Sequence, residues 1–259
     1  MPEGLEAEIW RSALDTTVGR TITGVRVDER IAPPGFVDAT LGTTITAVRR
    51  TGKVVVLDTD GPSIGLHFGM TGRVVVDGGA PIDRLQYASG RDDPEWDRLV
   101  VYADDRPVPA LRLNDPRRLG RVSLDPDLSA LGVDITAVTP RRLRQALVGR
   151  RGPIKPILLD QRVIAGLGNL CADEVLWWAG LSPHRVAPSL GDDEIASLAR
   201  VIRRRLPVML ELGGSHRGVL SPEVRAASPP CPRRSCTGHH LRRETIGGRT
   251  AVWCPGHQR

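Results

Sequence analysis

The last 29 residues of the chain contain side chains that could hold a metal ion: Cys231, Cys236, Cys254 and His257. They form a Cys-x4-Cys pair and a Cys-x2-His pair on either side of a candidate hairpin, and such sets of sulfur and nitrogen ligands bind zinc tetrahedrally in segments too short to bury a core. Free cysteines in a tail are the alternative, and His239 and His240 are rival ligands. We predict one structural Zn²⁺ at this site.

Lysine is almost absent from the chain. Of 36 basic residues only Lys53 and Lys155 are lysines, and the rest are arginines. An ammonium is a compact point charge that can lose its proton, whereas a guanidinium stays charged. The pattern suggests that these two positions need an ammonium, with chance survival as the alternative.

A third candidate is the segment from Lys155 to Glu174, which has a helical pattern on each side of the turn Gly166-Leu167-Gly168-Asn169. The glycines permit a close backbone approach, and Asn169 stands where a new helix would expose its first N–H groups. Helix–turn–helix units of this kind bind the DNA backbone. A buried helical hairpin is the alternative.

The elements that must position these residues change type along the chain. After an amphipathic N-terminal stretch, residues 21–125 contain short runs rich in Val, Ile, Thr and Leu separated by Gly, Pro and Asp, which predict a β-sandwich or barrel. From Thr139-Pro140 to residue 212 the pattern is helical. Pro207 is expected to kink or break the last of these helices.

Charge separates the same two halves. Residues 1–137 hold 16 Lys+Arg against 21 Asp+Glu, whereas residues 138–259 hold 20 against 9. A net +11 half favours a polyanionic partner, because neutralising phosphates releases counterions. An arginine-rich but merely solvating surface is the alternative. The chain has no run of about 20 apolar residues and opens without a basic-then-apolar signal, so we expect no membrane contact and a cytoplasmic location in a bacterial cytosol or nucleoid.

Several motifs together resemble one known family. They are Met1-Pro2-Glu3-Gly4, Gly52-Lys53, His67-Phe68-Gly69-Met70-Thr71-Gly72, Asn114-Asp115-Pro116-Arg117-Arg118, the Gly-Leu-Gly-Asn turn and the C-terminal knuckle. In this order and over nearly the whole chain, they resemble the formamidopyrimidine-DNA glycosylase / endonuclease VIII family of base-excision repair. The resemblance implies an α+β multi-domain fold: an N-terminal β-sandwich (1–130), a helix–two-turn–helix domain (131–228) and a zinc finger (229–259), with DNA between the domains.

The resemblance also implies catalytic roles. Removal of Met1 would leave Pro2 with a secondary amine, a good nucleophile because α-amines have pKa values of roughly 8. Glu3 matches the acid/base that protonates the sugar oxygen, and Glu6 matches a further active-site acid. Both carboxylates could equally complement a helix dipole. Lys53 and Arg249 match residues that assist at the lesion phosphate.

Further DNA contacts follow from the same resemblance. Asn169 would share the clamp on the lesion phosphate with Arg249, and Lys155 matches a lysine near the base pocket. Extruding a nucleotide leaves a hole in the base stack that wedge side chains fill. The residues that match the family's wedges are Met70, Arg117 and Leu119. Ordinary core packing is the alternative for Met70.

The chain departs from the family pattern at several points. Leu5 replaces a usual proline, Leu119 replaces an aromatic wedge, and Cys171 replaces a common tyrosine. The knuckle is not two Cys-x2-Cys pairs, and the connection 213–230 is short for a loop that closes over 8-oxoguanine. We therefore expect abasic sites, ring-opened purines and oxidised pyrimidines or hydantoins to be processed ahead of 8-oxoguanine.

The sequence thus predicts a monomeric, bifunctional DNA glycosylase and abasic-site lyase acting on double-stranded DNA with damaged bases or abasic sites. The reaction would proceed through an N-terminal proline Schiff base and β,δ-elimination. A non-catalytic DNA-damage-binding protein on the same scaffold is the alternative, and an RNA-binding zinc protein is a further rival.

Overall fold

The computed structural model describes residues 2–82, 85, 90–227 and 229–259. The chain divides into two compact units, Met1–Ser129 and Ala130–Arg259. Within the described part of the chain, no helix combines the length and the apolar character needed to cross a membrane.

The described residues of the N-terminal unit form two short α-helices and eight strands. The helices are α1 (Gly4–Leu14) and α2 (Phe36–Thr40). The strands are β1 (Ile22–Val27), β2 (Ile45–Thr51), β3 (Val54–Thr59), β4 (Ile64–His67), β5 (Arg73–Val76), β6 (Asp97–Ala103), β7 (Leu111–Asn114) and β8 (Arg121–Leu124). The predicted β-rich region is confirmed.

Two antiparallel four-stranded sheets share one core in this unit. Their strand orders are β1-β6-β7-β5 and β2-β3-β4-β8. Buried residues of both sheets, such as Leu99 and Val101 in the first and Val55 and Leu66 in the second, belong to a single apolar cluster. The sheets therefore pack as a sandwich.

Helix α1 is fixed to the sandwich by its apolar face. Trp10 and Leu14 are fully buried in the shared core, and the Trp10 ring lies 4.3 Å, centroid to centroid, from Phe68. At the polar side Arg50 of β2 donates from Nε to Glu8 Oε2 at 2.8 Å. The helix start, where the candidate catalytic residues lie, is thereby tied to the second sheet.

The C-terminal unit is mainly helical, as predicted. Its helices are α3 (Pro140–Leu147), α4 (Ile154–Leu159), α5 (Asn169–Ala179), α6 (Asp192–Glu211) and α7 (Pro222–Ala227). A parallel pair, β9 (Val133–Asp134) and β10 (Ile164–Ala165), precedes α5. Of the predicted kink or break at Pro207, the break is wrong, because α6 continues through it to Glu211; the kink stays a prediction. Pro207 is exposed, so water can bond the carbonyl that its missing N–H leaves unpaired.

The chain ends in an antiparallel hairpin, β11 (Arg242–Ile246) and β12 (Arg249–Trp253). Its turn residues Gly247 and Gly248 both have positive φ, 57° and 74°, as a two-residue turn that follows the strand twist requires. The hairpin contributes to a small apolar cluster with Trp177, Leu220, Cys236, Leu241, Val252 and Cys254.

Candidate functional site

The N-terminal candidate residues lie at the buried start of α1. Pro2 is buried, and Glu3 and Glu6 are each 1% exposed. The backbone N–H of Glu3 donates to Glu6 Oε2 at 2.8 Å. The two residues form a capping box, because the Glu3 side chain in turn accepts from the backbone N–H of Glu6. A buried acid thus follows the potential amine nucleophile directly in the chain, at the start of α1.

Lys53 occupies the two-residue turn between β2 and β3. Arg50 of β2 stabilises the turn, because its Nη1 donates to the carbonyl of Gly52 at 2.8 Å. Since α1 packs against both β2 and β3, the turn and the start of α1 belong to one rigid part of the sandwich. Lys53 itself is half-buried, which limits the directions available to its ammonium.

His67 is a candidate that the sequence analysis quoted in a motif without giving it a role. It pairs with Val54, the residue after Lys53, across the β3–β4 ladder. Its Nδ1 accepts from the backbone N–H of Gly69 at 3.2 Å. The pKa of His67 is lowered from its usual value by desolvation and then by the positive charges of Lys53 and Arg121. A neutral imidazole beside an ammonium is suited to an anionic ligand that supplies the missing charge.

Two loops bring the predicted wedge residues Met70 and Leu119 to one place. A Cβ on Gly69 would lie 2.4 Å from the backbone carbonyl of Leu119, so only glycine lets the loops approach this closely. Leu119 is 39% exposed, Arg117 is exposed and Met70 is half-buried. Accessible side chains on a braced loop can enter a base stack, and Met70 is not a fully buried core residue.

The brace of the wedge loop is Asp115, which is completely buried. Its carboxylate accepts from the backbone N–H groups of Leu119 and Gly120, each at 2.7 Å, and from Thr71 Oγ1 at 2.5 Å. One carboxylate thus joins both loops. Asp115 belongs to the Asn114–Arg118 motif, and an acid between Asn and Pro in a turn is typical of such a brace.

Asn169 begins α5 after a braced glycine turn. Gln161 donates from Nε2 to Leu167 O at 2.9 Å and accepts at Oε1 from Gly166 N at 2.9 Å. Asn169 Oδ1 is buried without a hydrogen-bond partner among the described residues. A half-buried amide with a buried, unsatisfied oxygen, at the positive end of an 11-residue helix, has the features of a ligand contact.

Arg249 is exposed at the first residue of β12, directly after the Gly247-Gly248 turn. Lys155, which the family resemblance places near the base pocket, is buried in the C-terminal unit. It is 0% exposed, and its ammonium lies 2.7 Å from Asp173 Oδ1. The charge of Lys155 is therefore paired within the protein, and its predicted contact with DNA stays a prediction.

The predicted metal ligands are brought together. The ligand atoms of Cys231, Cys236, Cys254 and His257 all lie within 4.8 Å of one another. Cys236 Sγ and Cys254 Sγ are 3.5 Å apart, and Cys231 Sγ is 3.6 Å from His257 Nδ1. These atoms surround a point with the donor set and spacing of a tetrahedral site. His257, not His239 or His240, completes the cluster.

Electrostatics around the cluster also fit a bound cation. Burial raises the pKa of the Cys254 thiol to about 12, and the neighbouring cysteine thiols add to the shift. Thiolates at this position therefore need a positive ion. His257 Nε2 lies 3.1 Å from the carbonyl of Trp177, the outer partner that orients a ligating ring. Burial lowers the pKa of His257, which keeps its Nδ1 lone pair available.

Comparison with known families divides the chain as the structure does. Residues 1–122 match the formamidopyrimidine-DNA glycosylase N-terminal domain, and residues 130–220 match the formamidopyrimidine-DNA glycosylase H2TH domain. The chain is 34% identical to a formamidopyrimidine-DNA glycosylase of Paracoccus denitrificans, over 98% of this chain and 99% of that protein. It is also 34% identical to one of Roseiflexus sp., over 100% of both.

Solved structures give the same result. The MutM (Fpg) protein from Thermus thermophilus superimposes with a TM-score of 0.80 at 29% identity, covering 99% of this chain and 98% of that one. The Lactococcus lactis Fpg in complex with abasic-site DNA superimposes with a TM-score of 0.80 at 25% identity, covering 99% of both chains. The expected multi-domain fold with a C-terminal zinc finger is confirmed.

Proposed function

Because the chain belongs to the formamidopyrimidine-DNA glycosylase family, and is thus a DNA repair glycosylase, we propose that it excises damaged bases from double-stranded DNA through Pro2 and then cleaves the strand by β,δ-elimination. The observation that carries the proposal is the position of Pro2 directly before two buried carboxyl groups, Glu3 and Glu6, at the start of α1.

The chemistry follows from that position. The Pro2 nitrogen attacks C1′ of the deoxyribose and the bond from C1′ to the base breaks. The base leaves with the bonding electron pair and takes up the proton that the Pro2 nitrogen loses. Glu3 protonates the ring oxygen as the sugar opens to an iminium. Loss of a C2′ proton then expels the 3′ phosphate, and a further proton loss expels the 5′ phosphate, so both phosphodiesters beside the lesion are cleaved.

The two units divide the remaining roles. In the N-terminal unit Lys53 contacts the lesion phosphate and Met70, Arg117 and Leu119 fill the hole in the stack. In the C-terminal unit Asn169 and Arg249 grip the same phosphate. A Zn²⁺ held by Cys231, Cys236, Cys254 and His257 supplies no chemistry to the reaction; it holds the finger from which Arg249 extends. The three-part division at residues 130 and 228 belongs to this proposal.

Substrate preference rests on the segment before the finger. Glu174 accepts from the backbone N–H groups of Val219 and Leu220 at 3.0 and 2.8 Å, and residues 222–227 form α7. Because these residues of the connection 213–230 are held by hydrogen bonds or lie in a helix, few residues remain that could form a loop over a base. We therefore propose that abasic sites, ring-opened purines and oxidised pyrimidines or hydantoins are processed faster than 8-oxoguanine opposite cytosine, which single-turnover rates on matched duplexes measure.

A borohydride trap tests the mechanism. Reduction of the iminium during reaction with abasic DNA should join the DNA to the N-terminal peptide, as mass spectrometry of the digested adduct reads out. Met1 lies outside the described residues; its removal is required, because a retained Met1 makes the Pro2 nitrogen a tertiary amide. The wild-type protein with Met1 fully in place should give no adduct.

Glu3→Gln is the matched control for this trap. It keeps the proline amine, and we expect it to form the adduct with preformed abasic DNA while losing base excision. If wild-type protein that lacks Met1 binds abasic DNA yet never becomes joined to it, the non-catalytic DNA-damage-binding function is the correct one.

A further inference from the structure

Three charged side chains are buried together beneath the C-terminal hairpin. Lys155 of α4 is 0% exposed, Asp173 of α5 is 1% exposed and Arg225 of α7 is 5% exposed. Lys155 Nζ lies 2.7 Å from Asp173 Oδ1, and Arg225 Nη1 lies 2.5 Å from Asp173 Oδ2. A single carboxylate therefore joins two cations that come from separate helices.

The same three side chains bind the backbone of β12. Lys155 Nζ donates to the carbonyl of Thr250 at 2.5 Å, and Arg225 Nη2 donates to the same carbonyl at 3.5 Å. Two residues further on, the N–H of Val252 donates to Asp173 Oδ2 at 2.9 Å. The first of these two backbone groups, the Thr250 carbonyl, belongs to the residue directly after Arg249.

The turn that carries Arg249 is fixed from its other side. Gly247 has a φ of 57°, and a Cβ there would lie 2.5 Å from Pro156 Cγ, on the residue next to Lys155. The tip of the hairpin thus rests directly on α4. Helix α4 supports the turn before Arg249, and the buried charges hold the strand after it.

Packing alone does not account for this arrangement. Buried ion pairs lose hydration on folding, and apolar side chains of similar volume often serve stability as well or better. What charges provide in addition is direction, because each hydrogen bond to β12 fixes an atom in a defined place. The described hairpin contributes to only a small apolar cluster. Apolar packing therefore does little to fix its orientation, and the hydrogen bonds from the buried charges supply that orientation.

We propose that Asp173 is a positioning residue for Arg249: through Val252 N–H, and through Lys155 and Arg225 on the Thr250 carbonyl, it sets the register and angle from which Arg249 reaches the lesion phosphate. The inference rests on the proposed function only in assigning that phosphate contact to Arg249. It also gives the buried Lys155 a part in DNA binding without a direct contact.

A double-mutant cycle tests the coupling. Equilibrium dissociation constants are measured for a duplex with a tetrahydrofuran abasic analogue, at several salt concentrations, for wild type, Asp173→Asn, Arg249→Ala and the double variant. Arg249→Ala should weaken binding about tenfold or more and reduce the slope of log K against log salt by about 0.9, the loss of one phosphate contact. Asp173→Asn should reproduce most of both changes, and the double variant should bind within about twofold of Arg249→Ala.

Controls separate positioning from charge and from folding. Asp193→Asn removes the same charge from an exposed position in α6 of the same unit, and it should leave affinity and salt slope unchanged. Zinc content and the melting temperature are measured for every variant. A purely structural role for Asp173 would lower affinity equally with and without Arg249, and such additivity overturns the proposal.

A second variant covers the case in which Asp173→Asn does not fold. Arg225→Lys keeps the charge but provides one donor point instead of a fork, and in the same cycle it should also lose its effect when Arg249 is absent. Because the analogue reports binding without chemistry, the outcome is independent of the borohydride trap. If protein that lacks Met1 gives no adduct, the proposed mechanism is refuted, whereas an additive cycle refutes only the role of Asp173.

Discussion

The two units of the molecule position their functional residues by different means. The N-terminal unit, Met1–Ser129, has 20 acidic residues against 16 basic ones, a net charge of −4, and it holds α1 and its loops on one continuous apolar core. The C-terminal hairpin has a small apolar cluster that includes two of the metal ligands, and it relies on metal ligands and buried charges. We infer that the first unit performs the chemistry with residues held on a packed core. The second unit binds DNA through a zinc finger whose orientation depends on the metal and the buried charges.

The largest effect should come from Glu3→Gln, which tests whether chemistry belongs to the first unit alone. General acid catalysis contributes roughly 10² to 10⁴-fold, so base excision should fall by about that factor. Binding to the tetrahydrofuran analogue should change by less than about threefold, since Arg249 and Asn169 are untouched. Single-turnover excision and equilibrium binding measure the two quantities. A parallel loss of binding would contradict the division of roles.

Zinc removal should have the next largest effect, and it should change DNA binding instead of the chemistry. Structural zinc in small fingers contributes on the order of 10 kcal/mol to folding, far more than the hairpin's few buried apolar side chains can replace. Chelation should abolish binding of abasic DNA while the N-terminal unit stays folded, as amide exchange of the β3–β4 region would show. Protein that binds DNA normally with no metal by elemental analysis would exclude the zinc site.

The sequence predicted the parts of this comparison that depend on local pattern. Short strands, the glycine turn and the Cys/His spacing are each determined within a few residues, and the metal cluster in particular needed only Cys-x4-Cys and Cys-x2-His. The buried environments of Lys155 and Asp115 were not predictable in this way. Each depends on residues far apart in the chain, such as Thr250 for Lys155 and Thr71 for Asp115. The hydrophobic periodicity of a segment does not predict partners at such distances in the sequence.

A smaller effect is expected at the wedge, where the rigid unit itself touches DNA. Leu119 is 39% exposed, and its backbone N–H is held by Asp115, so Leu119→Phe should change the side chain without moving the loop. Stacking of a base on an aromatic ring contributes about 1–3 kcal/mol. The variant should bind the abasic analogue several-fold more tightly and discriminate more sharply among the bases opposite the lesion. Unchanged affinity with all four opposite bases would show that Leu119 does not enter the stack.

The smallest effect, and the sharpest probe of electrostatics in the first unit, is the pH dependence of binding through His67. In the free protein its pKa lies below the usual value because of desolvation and the charges of Lys53 and Arg121. A phosphate placed beside Lys53 would favour the imidazolium and raise that pKa, so binding takes up a proton in the window between the two values.

The sign of this dependence distinguishes binding from folding. Affinity for the abasic analogue should rise by about two- to threefold as the pH falls from 7 to 6, which corresponds to less than one pKa unit of linkage. Stability of the free protein should move oppositely, because the unfolded chain has the higher pKa and takes up the proton first, so the His67 contribution is lost as the pH falls through about 6.5. His67→Gln retains an acceptor for the Gly69 N–H and should flatten both profiles. Lys53 and Arg121 stay charged throughout this range, so a slope that survives in His67→Gln must come from another group, and the phosphate contact would then not include His67.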